Sequence, residues 1–197
     1  FDPAYTRPRV FTRMDETEIS VPMMSGEGGF PYDEGDGYAA LALPYKGDEV
    51  SMLVIVPDAG TFGAFERSLS AARVDSIAAG LRSRDVIVTM PKFSFESTYD
   101  LAQTLAAMGM PSAFQPGADF SGIDGTDDGI PWIGWVGHRA FIGIDEYGTL
   151  AAAGTGMSFT IGIPPHFDAV RPFIFVIRDH ATGAILFLGR VMDPSAS

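Results

Sequence analysis

Cysteine and asparagine are both absent from this chain of 197 residues, and lysine occurs only as Lys46 and Lys92. Without cysteine there is no disulfide framework and no thiolate metal site, and the redox compartment is left open. Without asparagine there is no N-glycosylation sequon. No apolar run reaches the roughly 20 residues that a membrane-spanning helix needs. No secretory signal pattern is visible either. The chain opens at Phe1-Asp2-Pro3 without an initiator methionine, which we read as an N-terminal truncation. Positive charge is scarce, and the formal net charge of -12 opposes non-specific binding to nucleic acid or to anionic membranes. Neither is expected as a partner. What remains is a globular composition, 46% hydrophobic and 19% charged, long enough for one domain with a sizeable core.

One stretch stands apart, Asp145-Glu146-Tyr147-Gly148-Thr149-Leu150-Ala151-Ala152-Ala153-Gly154-Thr155-Gly156. A nearly continuous apolar segment, Ile133 to Ile144, runs into it, and Pro164-Pro165 follows. From Thr149 to Gly156 only Leu150 is bulky. Such a segment can serve as an ordinary Gly/Ala linker, the commoner case. It can also enter a crowded sheet, where Thr149, Ala151, Ala153, Thr155 and Met157 would share one face by the strand period of two.

Taken in order, Val10-Phe11-Thr12 and Ile19-Ser20-Val21 read as strand fragments, and Ser25 to Gly29 as a Gly-rich turn. Tyr38 to Leu43 and Val50 to Val56 form a hairpin around Lys46-Gly47-Asp48. Thr61 to Leu69 is a helix with Thr61 as N-cap, and Ala71 to Leu81 is a second with Val74, Ile77, Ala78 and Leu81 on one face. Asp85 to Met90 is a strand that continues past Pro91 to Glu96. Asp100 to Met108 is a short amphipathic helix closed by Gly109. Ser112 to Asp128 is an acidic loop, and Ile130 to Ile144 a long central strand. Pro172 to Arg178 and Ala184 to Val191 form a hairpin around Asp179 to Gly183. Strands dominate and no βαβ alternation occurs, so the fold class is α+β with mainly antiparallel sheets and a few short helices.

His138, His166 and His180 have no metal-binding spacing, and neither a metal nor another cofactor is expected. His138, inside the apolar strand, is read as a buried histidine with a hydrogen-bond partner in preference to a catalytic base. His180 belongs to a turn and is read as solvated. Ser121 lacks the upstream glycine of a nucleophile elbow. Asp124 to Asp128 lacks the closing glutamate of a calcium loop. Gly26-Glu27-Gly28-Gly29 has no strand–helix context for a phosphate cradle. No constellation argues for an enzyme.

Several stretches together match one family in order: Val21-Pro22-Met23-Met24, Leu43-Pro44-Tyr45-Lys46-Gly47, Leu53 to Pro57, Met90-Pro91-Lys92-Phe93, Ser97 to Leu101 and Ala118 to Ile123. His138 to Ile142, Asp145 to Thr149, Arg171-Pro172-Phe173-Ile174-Phe175 and Phe187-Leu188-Gly189-Arg190-Val191 complete the series. The chain resembles a serpin from near Phe1 to Pro194, and what it resembles is the C-terminal half of that domain. The resemblance implies one partial domain over residues 1–197, made of strands of sheets A, B and C with a reactive-centre loop over 147–163. Val170 departs from the usual aspartate or asparagine before Arg171-Pro172-Phe173.

A serpin is a suicide inhibitor of serine proteases, and the resemblance assigns roles accordingly. Glu146 precedes the hinge and pairs with Lys92. Gly148 is the hinge, and Thr149, Ala151, Ala152, Ala153 and Thr155 are the small residues that insert. Leu150 stands where a glutamate is usual. His138 lies under the middle of the sheet. Counting forward from Gly148 puts the cut after Gly162, and counting back from Ile163-Pro164-Pro165 puts it after Ile161. We prefer Ile161-Gly162, because a side chain must fill the protease's primary pocket. With no lysine or arginine between Thr149 and Pro165, an elastase-like or subtilisin-like serine protease is the expected partner. An extracellular location goes with the resemblance. Alternatives are a non-inhibitory serpin acting as a binding, carrier or chaperone-like protein, a non-functional fragment, and an unrelated hydrolase using His138. Alone, the chain is expected to expose strand edges and self-associate.

Overall fold

The computed structural model describes residues 1–125, 132–147 and 163–195. The architecture is α+β. By contacts the chain divides into two compact units, Phe1–Ser94 with Gly143–Ser197, and Phe95–Ile142.

The first unit is built on one mixed sheet of eight strands. Its strands are β1 (Arg7–Thr12), β2 (Glu18–Gly35), β3 (Tyr38–Pro44), β4 (Val50–Pro57), β5 (Arg82–Pro91), β8 (His166–Asp168), β9 (Phe173–Asp179) and β10 (Ile185–Val191). Their order is β10-β9-β4-β3-β2-β5-β8, with β1 also on β2. The two expected hairpins are present. In β3 and β4, buried residues run consecutively from Ala40 to Leu43 and from Ser51 to Pro57, so both faces of these central strands are covered. Over one face lie α1 (Phe62–Ser68) and α2 (Ala71–Gly80). Phe62, Phe65, Val74 and Ile77 pack there against Ala40, Leu53, Ile55, Ile174 and Val176. Ala78 and Leu81, expected on the same helical face, are half-buried against this cluster.

The helix starts differ from the sequence reading in a physical detail. Thr61 occupies the cap position of α1, but its hydroxyl donates to the Asp58 carbonyl at 2.8 Å and leaves the helix amides uncapped. The working cap belongs to α2, where Ser70 Oγ accepts from the Arg73 amide at 3.2 Å.

The Gly-rich turn expected at Ser25 to Gly29 is strand. β2 runs unbroken through it, pairing with β1 over Glu18 to Met23, with β5 over Met23 to Tyr32, and with β3 over Tyr32 to Gly35. The antiparallel ladder with β5 supplies partners for the peptide groups that a turn would otherwise leave to solvent. The glycines make room: a Cβ on Gly26 would stand 3.1 Å from the Phe1 ring. β8 is a second departure. It pairs parallel to β5 on the sheet's edge, and at three residues it is too short to show a period.

The second unit holds most of β6 (Phe93–Asp100) and β7 (Gly137–Ile144), paired as a two-stranded sheet, with α3 (Ala102–Ala107) and α4 (Ser121–Asp124) between them. The strand predicted to run from Asp85 to Glu96 breaks at Lys92, which separates β5 from β6. The long central strand expected over Ile130 to Ile144 shrinks to β7, and residues 126–131 lie outside the described segments. Among the described residues β7 has one sheet neighbour, β6, and is paired along one edge. Trp132, Trp135 and Phe141 are exposed. Asp100 ends β6 instead of joining α3, and its carboxylate accepts from the Ala102 amide at 3.0 Å. α3, expected to be amphipathic, buries none of its residues.

Candidate functional site: the anchored ends of the loop

Strand β7 ends at buried Ile144 and delivers Asp145, Glu146 and Tyr147 beyond the sheet. Asp145 turns the chain by accepting from the Tyr147 amide at 2.8 Å, an Asx-type turn. Glu146 points inward, with a side chain only 5% exposed. A buried carboxylate is costly unless it is both paired and hydrogen-bonded. Here both conditions are met. Lys92 Nζ lies 2.6 Å from Glu146 Oε2, and Thr6 Oγ1 donates to Oε1 at 2.6 Å. The Phe1 backbone nitrogen donates to the Glu146 carbonyl at 3.1 Å. The Lys92 bond first, then the Thr6 bond and the residue's own amide, hold the Glu146 carboxyl down to about 2.

Lys92 can reach Glu146 because it is itself fixed. It follows Pro91, the last residue of β5, and its amide donates to the Pro22 carbonyl of β2 at 3.0 Å. Pro91 has no N–H to continue the ladder, which suits a strand's final position. Lys92 and Glu146, paired in the sequence reading, therefore meet as an ion pair. Thr6 was not foreseen. Nothing in the sequence marks a polar residue 140 positions from its partner.

The chain resumes at Ile163, which is exposed, and Pro164 and Pro165 are half-buried. The Pro165 carbonyl accepts from the Ile87 amide of β5 at 2.9 Å, and β8 then pairs with the same strand from His166 to Asp168. Phe167 is buried edge-to-face against Tyr32, with ring centroids 6.3 Å apart. Both ends of the intervening segment are thus fastened along β5, one just past its last residue and one within it. Gly148, Thr149, Ala151, Ala152, Ala153, Thr155, Ile161 and Gly162 lie outside the described residues.

His138 corrects the sequence reading. It is exposed and stacks on Tyr99 at 6.5 Å, with an interplanar angle of 24°. Burial needs a layer over β7, and the described residues supply none. Arg139, next to it, pairs with Glu96 at 2.6 Å across the two strands. Among the described residues no group of three or more His, Asp or Glu side chains could hold a metal ion, and no helix is long and apolar enough to cross a membrane.

The chain as a whole is similar to known proteins of one family. The family described as Serpin (serine protease inhibitor) matches residues 1–194. An uncharacterized serpin-like protein of Thermococcus kodakarensis is 43% identical over 195 residues, covering 96% of this chain and 45% of that protein. Intracellular coagulation inhibitor 1 of Tachypleus tridentatus is 40% identical, covering 97% of this chain and 47% of its own length. Neuroserpin of Gallus gallus is 34% identical, covering 100% of this chain and 50% of its own. The chain spans about half the length of the curated relatives it matches.

Proposed function

The chain belongs to the serpin family, and from that premise we propose that it supplies the reactive-loop half of a suicide inhibitor of serine proteases. The family is described as serine protease inhibitors, a role that is not catalytic. In this reading residues 1–197 are one partial serpin domain, and residues 147–163 are the loop offered as substrate. The protease cuts Ile161-Gly162 and is held as an acyl-enzyme. Gly148 hinges, and Thr149, Ala151, Ala153 and Thr155 enter a sheet as a new strand. Serpin loop insertion is itself a standing example of strand addition and of strain release.

The observation that carries the reading is the buried, doubly bonded Glu146 two residues before Gly148. Motion of the loop then begins at a defined point. A charged residue or proline at Thr149 would obstruct entry by desolvation or by a lost ladder bond, and neither is present. An apolar residue at Ile161 suits an elastase-like or subtilisin-like protease, acting outside the cell.

The test uses a protein that carries this chain at its relatives' full length. Incubation with elastase should give a heat-stable, SDS-resistant complex, with peptide release mapped by mass spectrometry to Ile161-Gly162. Clean cleavage without complex selects a binding, carrier or chaperone-like role, and a cut elsewhere refutes the assigned bond.

A further inference from the structure

Away from the loop, a cavity of about 580 Å3 opens at one end of the main sheet, beneath α2. Much of its wall is apolar, including Pro31, Leu53, Ala78 and Leu81. Its polar groups converge at one place. Ser51 on β4 and Arg178 on β9 are direct cross-strand partners, and both line the cavity with His180 and Asp75. Ser51 is 4% exposed, whereas His180 is exposed at the mouth.

The hydrogen bonds fix the chemistry of this group. His180 Nδ1 lies 2.7 Å from the Asp48 carbonyl oxygen. A carbonyl only accepts, so Nδ1 carries the proton of the neutral ring. Nε2 is then the acceptor, and at 2.7 Å its partner Ser51 Oγ must donate. The ring is held further by its own backbone, since the His180 amide donates to the Glu49 carbonyl at 2.8 Å. A hydroxyl, an imidazole in the base tautomer and a fixed acceptor behind it form the nucleophile–base–orienter arrangement of acyl transfer. Arg178 adds a guanidinium to the same cavity, paired with Asp75 at 3.0 Å.

We propose that Ser51 is a covalent modification site, acylated stoichiometrically by small esters with apolar acyl groups. In the step, Ser51 Oγ attacks the ester carbonyl carbon and its proton passes to His180 Nε2. The Oγ–acyl bond forms, the bond to the alcohol oxygen breaks, and the leaving alkoxide takes the proton from Nε2. Charge developing on the carbonyl oxygen faces the Arg178 guanidinium. The apolar walls receive the acyl chain. This inference is independent of the protease-inhibitor reading.

The chain is treated with p-nitrophenyl butyrate, nitrophenolate release is followed, and the product is peptide-mapped. We expect a burst of one equivalent and the butyryl group on the peptide carrying Ser51. Ser51→Ala removes that adduct, and His180→Gln slows the burst by about 10²–10⁴-fold, the usual share of a positioned general base. Label spread over Lys46, Lys92 and tyrosines with none on Ser51 overturns the proposal. So does an unchanged burst rate in a folded His180→Gln chain. Mapping on the unmutated chain decides the matter if a variant misfolds, because a serine and histidine that merely tie a strand to a turn would leave Ser51 unlabelled.

Discussion

Glu146 is where a single residue matters most. Its carboxyl is lowered from an ordinary 4.5 to about 2, with the Lys92 bond as the largest cause and Thr6 next. A group depressed in the fold contributes stability that is complete above its unfolded value and is lost as pH falls through its folded value. The contribution of Glu146 should therefore be intact above about pH 4.5 and decline towards about pH 2. Acid titration of thermal unfolding should show a smaller loss over that range in Glu146→Gln than in the unchanged chain. Equal losses in both would mean that Lys92, Thr6 and the Glu146 amide do not favour the charged form. Gly189 is a second test at this scale. A Cβ there would run into the ring of Phe175 on the neighbouring strand, so Gly189→Ala should cost about 1–3 kcal/mol in urea unfolding, as overpacking does.

Elements show which parts of a chain can be read from local residues. The hairpins β3–β4 and β9–β10 were legible because Lys46-Gly47-Asp48 and Asp179 to Gly183 carry turn chemistry between alternating or continuous apolar runs. Gly47 and Gly183 adopt the positive φ those turns require, +98° and +73°. The same residue type misled at Ser25 to Gly29, where glycine marks a close approach and a long ladder with β5, a partner set by topology. β8 escaped notice because its pairing depends on Phe167 finding Tyr32. His138 was misplaced because burial is a property of the neighbour as much as of the strand. The site divided the same way: Lys92 and Glu146 sit in recognisable motifs, whereas Thr6 does not. Ser70→Ala should destabilise α2 by about 1 kcal/mol in chemical denaturation, as loss of a serine cap does. Amides of β6 and β7 should exchange with solvent faster than those of β3 and β4, because a lone two-stranded sheet is marginal in water. Equal protection would show that β7 is covered.

For the whole molecule, the relevant facts are the exposed strand β10 and the half-length match to its relatives. Ile185, Leu186, Phe187 and Leu188 are each 43–59% exposed on the strand at one end of the main sheet. An apolar edge, unpaired among the described residues, is a template for association. Sedimentation of residues 1–197 should show concentration-dependent self-association, and replacing Leu186 and Leu188 with lysine should weaken it. The isolated chain should also fail to trap a protease, although its loop is still cut. In the proposed function the segment after Glu146 becomes an interior strand once its far end is free. The direct measurement is the unfolding temperature of a protein carrying this chain at full length, intact and nicked at Ile161-Gly162. The nicked form should unfold well above the intact one; equal or lower thermal resistance after nicking would mean that the segment does not insert.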